Sequence, residues 1–228
     1  MRLHDKIYLK ENRYLKPKDS FKFLVKILKK QTTKKEYSIL DLGCSNGELI
    51  YQLEKHFKNF KITGYDIRQD LLNKAKKNLP KSVILKKINV NTKIKTIDKF
   101  DIIICSGVIS IFDNLDKFHK NIKKLIKPNG KIYLFGNFNN YDYNIFVTYE
   151  DIKLHKNIRQ TGWNIWSIKT IKEIFKVKKI KQYPFFIKKN IKKKNNDLIR
   201  SWTIKIGGRR FFTNALMFIQ NQMWIEIS

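Results

Sequence analysis

The chain has 228 residues, 42% of them apolar, which suits one domain with a complete hydrophobic core. Lys and Arg number 49 against 19 Asp and Glu, a formal charge of +30 that would draw any polyanion. No apolar run is long enough for a spanning helix and no Cys or His grouping has zinc spacing, so neither a membrane span nor a zinc site is expected. The start, Met1-Arg2-Leu3-His4-Asp5-Lys6, lacks the apolar segment of a signal peptide, and a soluble, cytoplasmic protein is the expectation. Arg occurs only at positions 2, 13, 68, 159, 200, 209 and 210, and the chain is crowded with Ile and Asn. Lys, Ile and Asn have A/T-rich codons, so much of the charge reads as the composition of an AT-rich bacterial genome.

In chain order, residues 17–30 read as a helix, with Phe21, Leu24, Val25 and Leu28 on one stripe after Pro17 and a cap at Asp19 or Ser20. The next elements are a strand at 37–42, a helix at 47–58, a strand at 60–66, a helix at 68–78 and strands at 82–88 and 100–105. A helix at 114–126 and a strand at 130–136 follow. Such alternation gives an α/β fold, doubly wound, with a mostly parallel sheet between helices. After Gly136 an aromatic and polar segment runs to Trp166, and Ser167 caps a helix to Phe175. Strands are expected near 177–187 and 199–206, joined through the lysine-rich loop 188–196. Gly207-Gly208 reads as a tight turn, and Arg209-Arg210-Phe211-Phe212 with Trp202 makes a basic aromatic ending.

The most informative stretch is Ile39-Leu40-Asp41-Leu42-Gly43-Cys44-Ser45-Asn46-Gly47, with Ile62-Thr63-Gly64-Tyr65-Asp66-Ile67 about twenty residues on. Gly43 and Gly47 let a ligand lie against bare backbone, where the first free N–H groups of the next helix also face. Asp66, ending the second strand, is placed to accept from ribose hydroxyls. The spacing is not G-x-G-x-x-G, and Asp41 would repel a pyrophosphate while suiting the ammonium of an amino-acid-bearing nucleoside. This layout resembles the first motif of the class I S-adenosylmethionine-dependent methyltransferases.

Two later landmarks resemble the same family: Phe100-Asp101-Ile102-Ile103-Ile104-Cys105-Ser106-Gly107-Val108 its fourth strand, and Leu125-Ile126-Lys127-Pro128-Asn129-Gly130-Lys131-Ile132-Tyr133-Leu134 its turn into the fifth. Ser45 stands where many members have Gly, and Asn89 where many have an adenine-reading Asp. The resemblance implies a single Rossmann-like domain over 1–228: an N-terminal helical cap (1–36), a cofactor-binding core (37–136), then an acceptor-side insert and closing strands (137–228). It implies that the 177–187 and 199–206 strands form a C-terminal antiparallel hairpin. It also implies S-adenosyl-L-methionine as cofactor, bound by Asp41, Gly43, Cys44, Ser45, Gly47, Asp66, Ile67, Asn89, Val90, Cys105 and Ser106. Cys44 and Cys105, ending neighbouring strands, would lie near one another under the cofactor as reduced, buried thiols.

The strand-four loop lacks the N-P-P-Y run of enzymes that methylate amides and exocyclic amines, and neither cysteine has the context of the RNA cytosine-C5 enzymes. A base for an oxygen acceptor is sought among Asp113, His119, Asp142 and His155, with His155 and Asp113 chosen as catalytic candidates. Trp163 and Trp166 are candidates for an acceptor wall, and Arg159 and Arg200, with Arg209 and Arg210, for gripping a phosphate or carboxylate. No metal is assigned. Segments 162–167, 198–204 and 208–210 resemble methyltransferases of bacterial surface-polysaccharide (capsule and lipopolysaccharide) genes. The expected acceptor is therefore a small anionic carbohydrate, such as a nucleotide sugar or glycan precursor, methylated on oxygen. An RNA methyltransferase using the basic surface is the alternative, and a non-catalytic S-adenosylmethionine-binding protein the third reading.

Overall fold

The computed structural model of the chain describes residues 7–33, 35–95, 97–150, 152 and 159–228. A short helix α1 (Ile7–Lys10) leads into α2 (Asp19–Gln31), which buries Phe21, Leu24, Val25 and Leu28 as its spacing predicts. Each such side chain taken from water contributes about 1.5–3 kcal/mol, which fixes α2 to the sheet. The alternating core follows as β1 (Ser38–Leu42), α3 (Glu48–His56), β2 (Lys61–Asp66), α4 (Gln69–Asn78), β3 (Ile84–Lys87), β4 (Phe100–Ser106), α5 (Asp116–Leu125) and β5 (Ile126–Asn139). Ile102, Ile103 and Ile104 of β4 are all buried, the continuous apolar run of a strand covered on both faces.

Strands β1 to β5 pair in parallel in the order β3-β2-β1-β4-β5, so their carboxyl ends form one rim. Side-chain alternation divides the core in two. One face carries Leu40, Leu42, Ile103 and Leu134 under α5 and the later helix α6 (Ile168–Phe175). The other carries Ile39, Ile102, Ile104 and Tyr133 under α2, α3 and α4. Between β5 and α6 lie a small antiparallel pair, β6 (Thr148–Glu150) with β7 (Arg159–Thr161), and β8 (Ile165–Ser167), which adds to β5. Ser167 caps α6 as expected, its hydroxyl accepting from the Lys169 amide.

The C-terminal antiparallel strands close the sheet, the first within the expected 177–187 segment and the second from beyond the expected 199–206 segment. β9 (Lys181–Pro184) pairs with β12 (Gln222–Ile227), and β12 lies antiparallel against β5. The 199–206 region supplies β10 (Trp202–Ile206), which turns at Gly207-Gly208 into β11 (Arg209–Thr213) and forms a separate two-stranded sheet. Trp202–Ile206 alternates apolar and polar residues, whereas Gln222–Ile227 carries the consecutive apolar run Met223-Trp224-Ile225. Gln222–Ile227 prevails because Met223, Trp224 and Ile225 find partners on both faces of the main sheet. The 185–221 segment thus becomes an arm inserted between the last two strands. Among the described residues no helix is long and apolar enough to cross a membrane.

Candidate functional site

The rim above β1 and β2 is built from backbone. Gly43 sits at φ +82°, donates its N–H to Tyr65 O at 2.7 Å, and leaves no room for a side chain, since a Cβ would stand 2.3 Å from Val108 Cγ2. Gly47 starts α3 at φ +79°, its missing Cβ filled by Leu79 and Ala75. Between them Ser45 also takes a left-handed conformation, φ 53°, where glycine is more comfortable. That turn aims the Ser45 N–H at Asp66 Oδ2, 2.8 Å away, while the Arg68 N–H holds Asp66 Oδ1 at 2.8 Å. The two N–H groups fix the carboxylate at the end of β2.

Asp41 points to the same face of the sheet as Ile39 and Ile104. It is 2% exposed, and the structure gives its carboxylate no hydrogen-bond donor among the described residues. Burial, and then repulsion by Asp66, pushes its pKa up to about 8. A buried carboxyl beside a second carboxylate gains its charge readily only when a cation arrives.

Other expected contacts flank these. Ile67, 55% exposed, follows Asp66 as an uncovered apolar surface. Asn89 accepts the Asn91 N–H at 2.9 Å in a local turn, and Val90 is held by Asn121 Nδ2 on its carbonyl at 2.7 Å. At the end of β4, Ser106 is half-buried, and the following Gly107, φ +81°, has open space where a Cβ would be. The two cysteines part company. Cys44 packs among Leu49, Ile50 and Leu72, and Cys105 with Leu42, Ile103 and Leu134 on the opposite face, so they do not adjoin as expected. Both are free, and burial pushes both thiols upward.

The N-terminal segment closes over this loop. Tyr14 Oη donates to Asn46 O at 2.6 Å, the Asn46 amide donates to the carbonyls of Tyr8 and Glu11, and the Arg13 N–H reaches Glu48 Oε1 at 2.8 Å. Arg200, expected to bind substrate, instead pairs with Glu11 at 2.9 Å and ties the 185–221 arm to the same segment. No sequence pattern announces these contacts, because each joins residues far apart in the chain.

In the insert between β5 and α6, Asn164 is the organising residue, and no sequence pattern marks it. Fully buried, it donates through Nδ2 to Phe112 O at 2.9 Å and Asp113 Oδ1 at 2.8 Å, and accepts the Val147 N–H at 2.8 Å. Asp113 therefore has one oxygen on Asn164 and the other on Thr161 Oγ, at 3.1 Å. Trp166 is 3% exposed, with its indole N–H on Ile109 O, so it is core and not an acceptor wall. Trp163 is half-buried at φ +62° and tilts against Tyr149, with ring centres 5.8 Å apart. Thr148, Tyr149, Glu150 and Arg159 line a cavity of about 280 Å³ beside that pair. His119 packs edge-on against Phe175, and Asp142 pairs with Lys169. His155 lies outside the described residues.

A nucleoside with a cationic amino-acid tail fits this rim on its own chemistry. Asp66 is presented for a ribose, Ile67 for the face of a base, Asp41 for positive charge, and the buried Ser45 Oγ has no hydrogen-bond partner. No group of side chains among the described residues is arranged to hold a metal ion.

Comparison with known proteins points the same way. Residues 40–132 match the family described as a methyltransferase domain. The ubiquinone biosynthesis O-methyltransferase of Coxiella burnetii is 30% identical over 131 residues, 53% of this chain and 53% of that protein. A malonyl-[acyl-carrier protein] O-methyltransferase of Priestia megaterium is 29% identical over 105 residues, 46% of this chain and 38% of that one. The chain thus spans about half the length, or less, of these curated relatives. Among solved structures, an S-adenosylmethionine-dependent methyltransferase from Clostridium acetobutylicum shares the fold over 90% of this chain and 89% of its own, with TM-score 0.55 and 15% identity. Coclaurine N-methyltransferase, solved with N-methylheliamine and SAH, shares it over 82% of this chain and 59% of its own, with TM-score 0.58 and 15% identity. Residues 40–132 thus resemble a methyltransferase domain, and the chain has a mixed α/β, Rossmann-like fold with a mostly parallel central sheet.

Proposed function

We propose that the chain is an S-adenosylmethionine-dependent O-methyltransferase. The observation that carries this reading is the pair of acids on one rim, Asp66 held by two backbone N–H groups and Asp41 buried beside it without a donor. S-adenosylmethionine, when bound, supplies an activated methyl group on a positively charged sulfur. Asp66 holds the ribose, Ile67 and Asn89 border the base, and Asp41 draws the cationic end, while Gly43, Ser45, Gly47, Val90 and Ser106 complete the surround, with Cys44 and Cys105 packed in the core behind it. Alignment of donor and acceptor in such a crevice is worth roughly 7–11 kcal/mol. Oxygen as the accepting atom is supported by the two relatives, both named as O-methyltransferases.

The acceptor in this reading is a small anionic carbohydrate. Trp163 with Tyr149 offers an aromatic face for a sugar ring, and Arg159 at the same cavity offers two parallel donors for a phosphate or carboxylate. His155 is the proposed base, while Asp113, its oxygens engaged by Asn164 and Thr161, anchors the insert between β5 and α6. A second reading, methylation of RNA, is favoured by one feature. Lys22, Lys26, Lys29, Lys30 and His56 line a groove of about 390 Å³ between α2 and α3.

The test is transfer of labelled methyl from S-adenosylmethionine into a methyl-depleted extract, with and without ribonuclease. Label in small sugar derivatives, indifferent to ribonuclease and lost in Asp66→Ala together with cofactor binding, is the expected result. Label that ribonuclease removes would replace the carbohydrate by RNA. An unchanged cofactor dissociation constant in Asp66→Ala would contradict the site itself.

A further inference from the structure

Asn137 lies two residues beyond the Phe135–Ser106 pairing, at the carboxyl end of β5. Alternation along β5 puts its side chain on the face of Tyr133 and Phe135, the face that also carries Asp41 and Ser106 on the neighbouring strands. It is 3% exposed. Its Oδ1 is fully enclosed and accepts no hydrogen bond, and its Nδ2 donates to no described residue. Natural cores rarely leave an amide so, because the lost hydration is not returned.

Aromatic side chains cluster at Phe135, two residues before Asn137 on the same face. Gln222 faces Asn137 across the β5–β12 pair, and the Phe185 N–H binds Gln222 O at 3.0 Å. Phe185 in turn meets Phe135, Phe23 and Phe212, with ring centres 5.8, 6.1 and 6.5 Å apart. One unpartnered amide on the sheet face that carries Phe135, two strands along from Asp41, supplies a single polar group to set orientation beside an apolar cluster, the composition of a small-molecule site.

Resting on the methyl-transfer reading, we propose that Asn137 binds the acceptor, its amide taking a neutral hydroxyl group of a ring-shaped molecule as both donor and acceptor. The anionic part of such a molecule is left to Arg159; the amide sets which hydroxyl faces the methyl group.

The experiment compares wild type with Asn137→Leu and Asn137→Ala in three readouts: thermal midpoint, S-adenosylmethionine affinity, and labelled transfer into the methyl-depleted extract. The expected result is a midpoint unchanged, or raised by about 2–4 °C in Asn137→Leu, cofactor affinity within about twofold, and transfer reduced at least tenfold. Transfer at the wild-type rate overturns the proposal. So does a midpoint lowered in both variants, which would make the amide part of the fold, or a joint loss of cofactor affinity, which would assign it to the cofactor. Absence of transfer by wild type itself marks the failure of the methyl-transfer reading, and this assignment goes with it.

Discussion

Asp41 stores the chemistry of the rim in one proton. Its carboxyl is raised from 3.8 to about 8 by burial and by Asp66, so at neutral pH the folded chain holds a proton that the unfolded chain has released. A raised carboxyl makes its full contribution to stability below the unfolded value and loses it as pH climbs through the folded one. Asp41 therefore weakens the fold progressively between about pH 4 and pH 8. Asn keeps the shape without the titration, so the midpoint of Asp41→Asn should rise relative to wild type across that interval and level off above it. Thermal denaturation over the pH range reads this directly; parallel curves would mean Asp41 is charged throughout. A cation beside Asp41 favours the ionised form, so binding of S-adenosylmethionine at pH 7 should release a proton from wild type and fewer from Asp41→Asn. Calorimetry in buffers of different ionisation enthalpy counts them.

At the scale of elements, the insert between β5 and α6 depends on one side chain that no pattern marks. From a fully buried position Asn164 joins it to the turn after β4 by two hydrogen bonds, to Phe112 O and Asp113 Oδ1, and braces it internally by accepting the Val147 N–H. Asn164→Ala strands those partners, and a loss of about 2–4 kcal/mol is expected from urea unfolding. A loss under about 1 kcal/mol would show that water replaces the amide. This residue also shows what the sequence conveys and what it does not. Strands β1 to β4 and helices α2 to α5 fall within about two residues of expectation, because periodic apolar positions and the Gly43 and Gly47 turns are local signals. The geometry of the rim was legible for the same reason, since Asp41, Gly43, Ser45 and Asp66 are set by spacing along two adjacent strands. Asn164 and Asn137 are two asparagines in an asparagine-rich chain, told from the rest only by long-range burial. Trp166 was misread since an aromatic suits a core and a binding wall equally. The closing strand was misplaced because the alternating Trp202–Ile206 reads as a strand in its own right, although only Gln222–Ile227, with apolar residues for both faces, pairs with β5.

For the whole molecule the open quantity is the +30 charge. A genome-wide bias would scatter lysines over every exposed face, yet Lys22, Lys26, Lys29 and Lys30 converge on one groove whose lining has no acid. Lys22 alone has a partner, Asp19 at 3.7 Å, and Asp19 is shared with Lys189. The field there is felt by His56, which burial, then Lys29 and Lys55, hold below its usual range. Diffuse charge and a phosphate track differ in how binding answers to salt. Each phosphate contact on a single strand contributes about 0.7 to the slope of log affinity against log salt, so converting the four groove lysines to Gln should lower the slope for a short oligouridylate by roughly 3 if they act as a track. The same exchange at Lys76, Lys77, Lys81 and Lys87, exposed around α4 and β3, removes equal charge and serves as the comparison. A groove variant that loses slope while the comparison keeps it makes the lysines a binding surface and favours RNA. Equal, small losses in both leave the charge as composition and the acceptor as the small molecule gripped by Arg159. Either result is independent of the cofactor rim, because Asp41 and Asp66 are shielded by burial and answer little to salt.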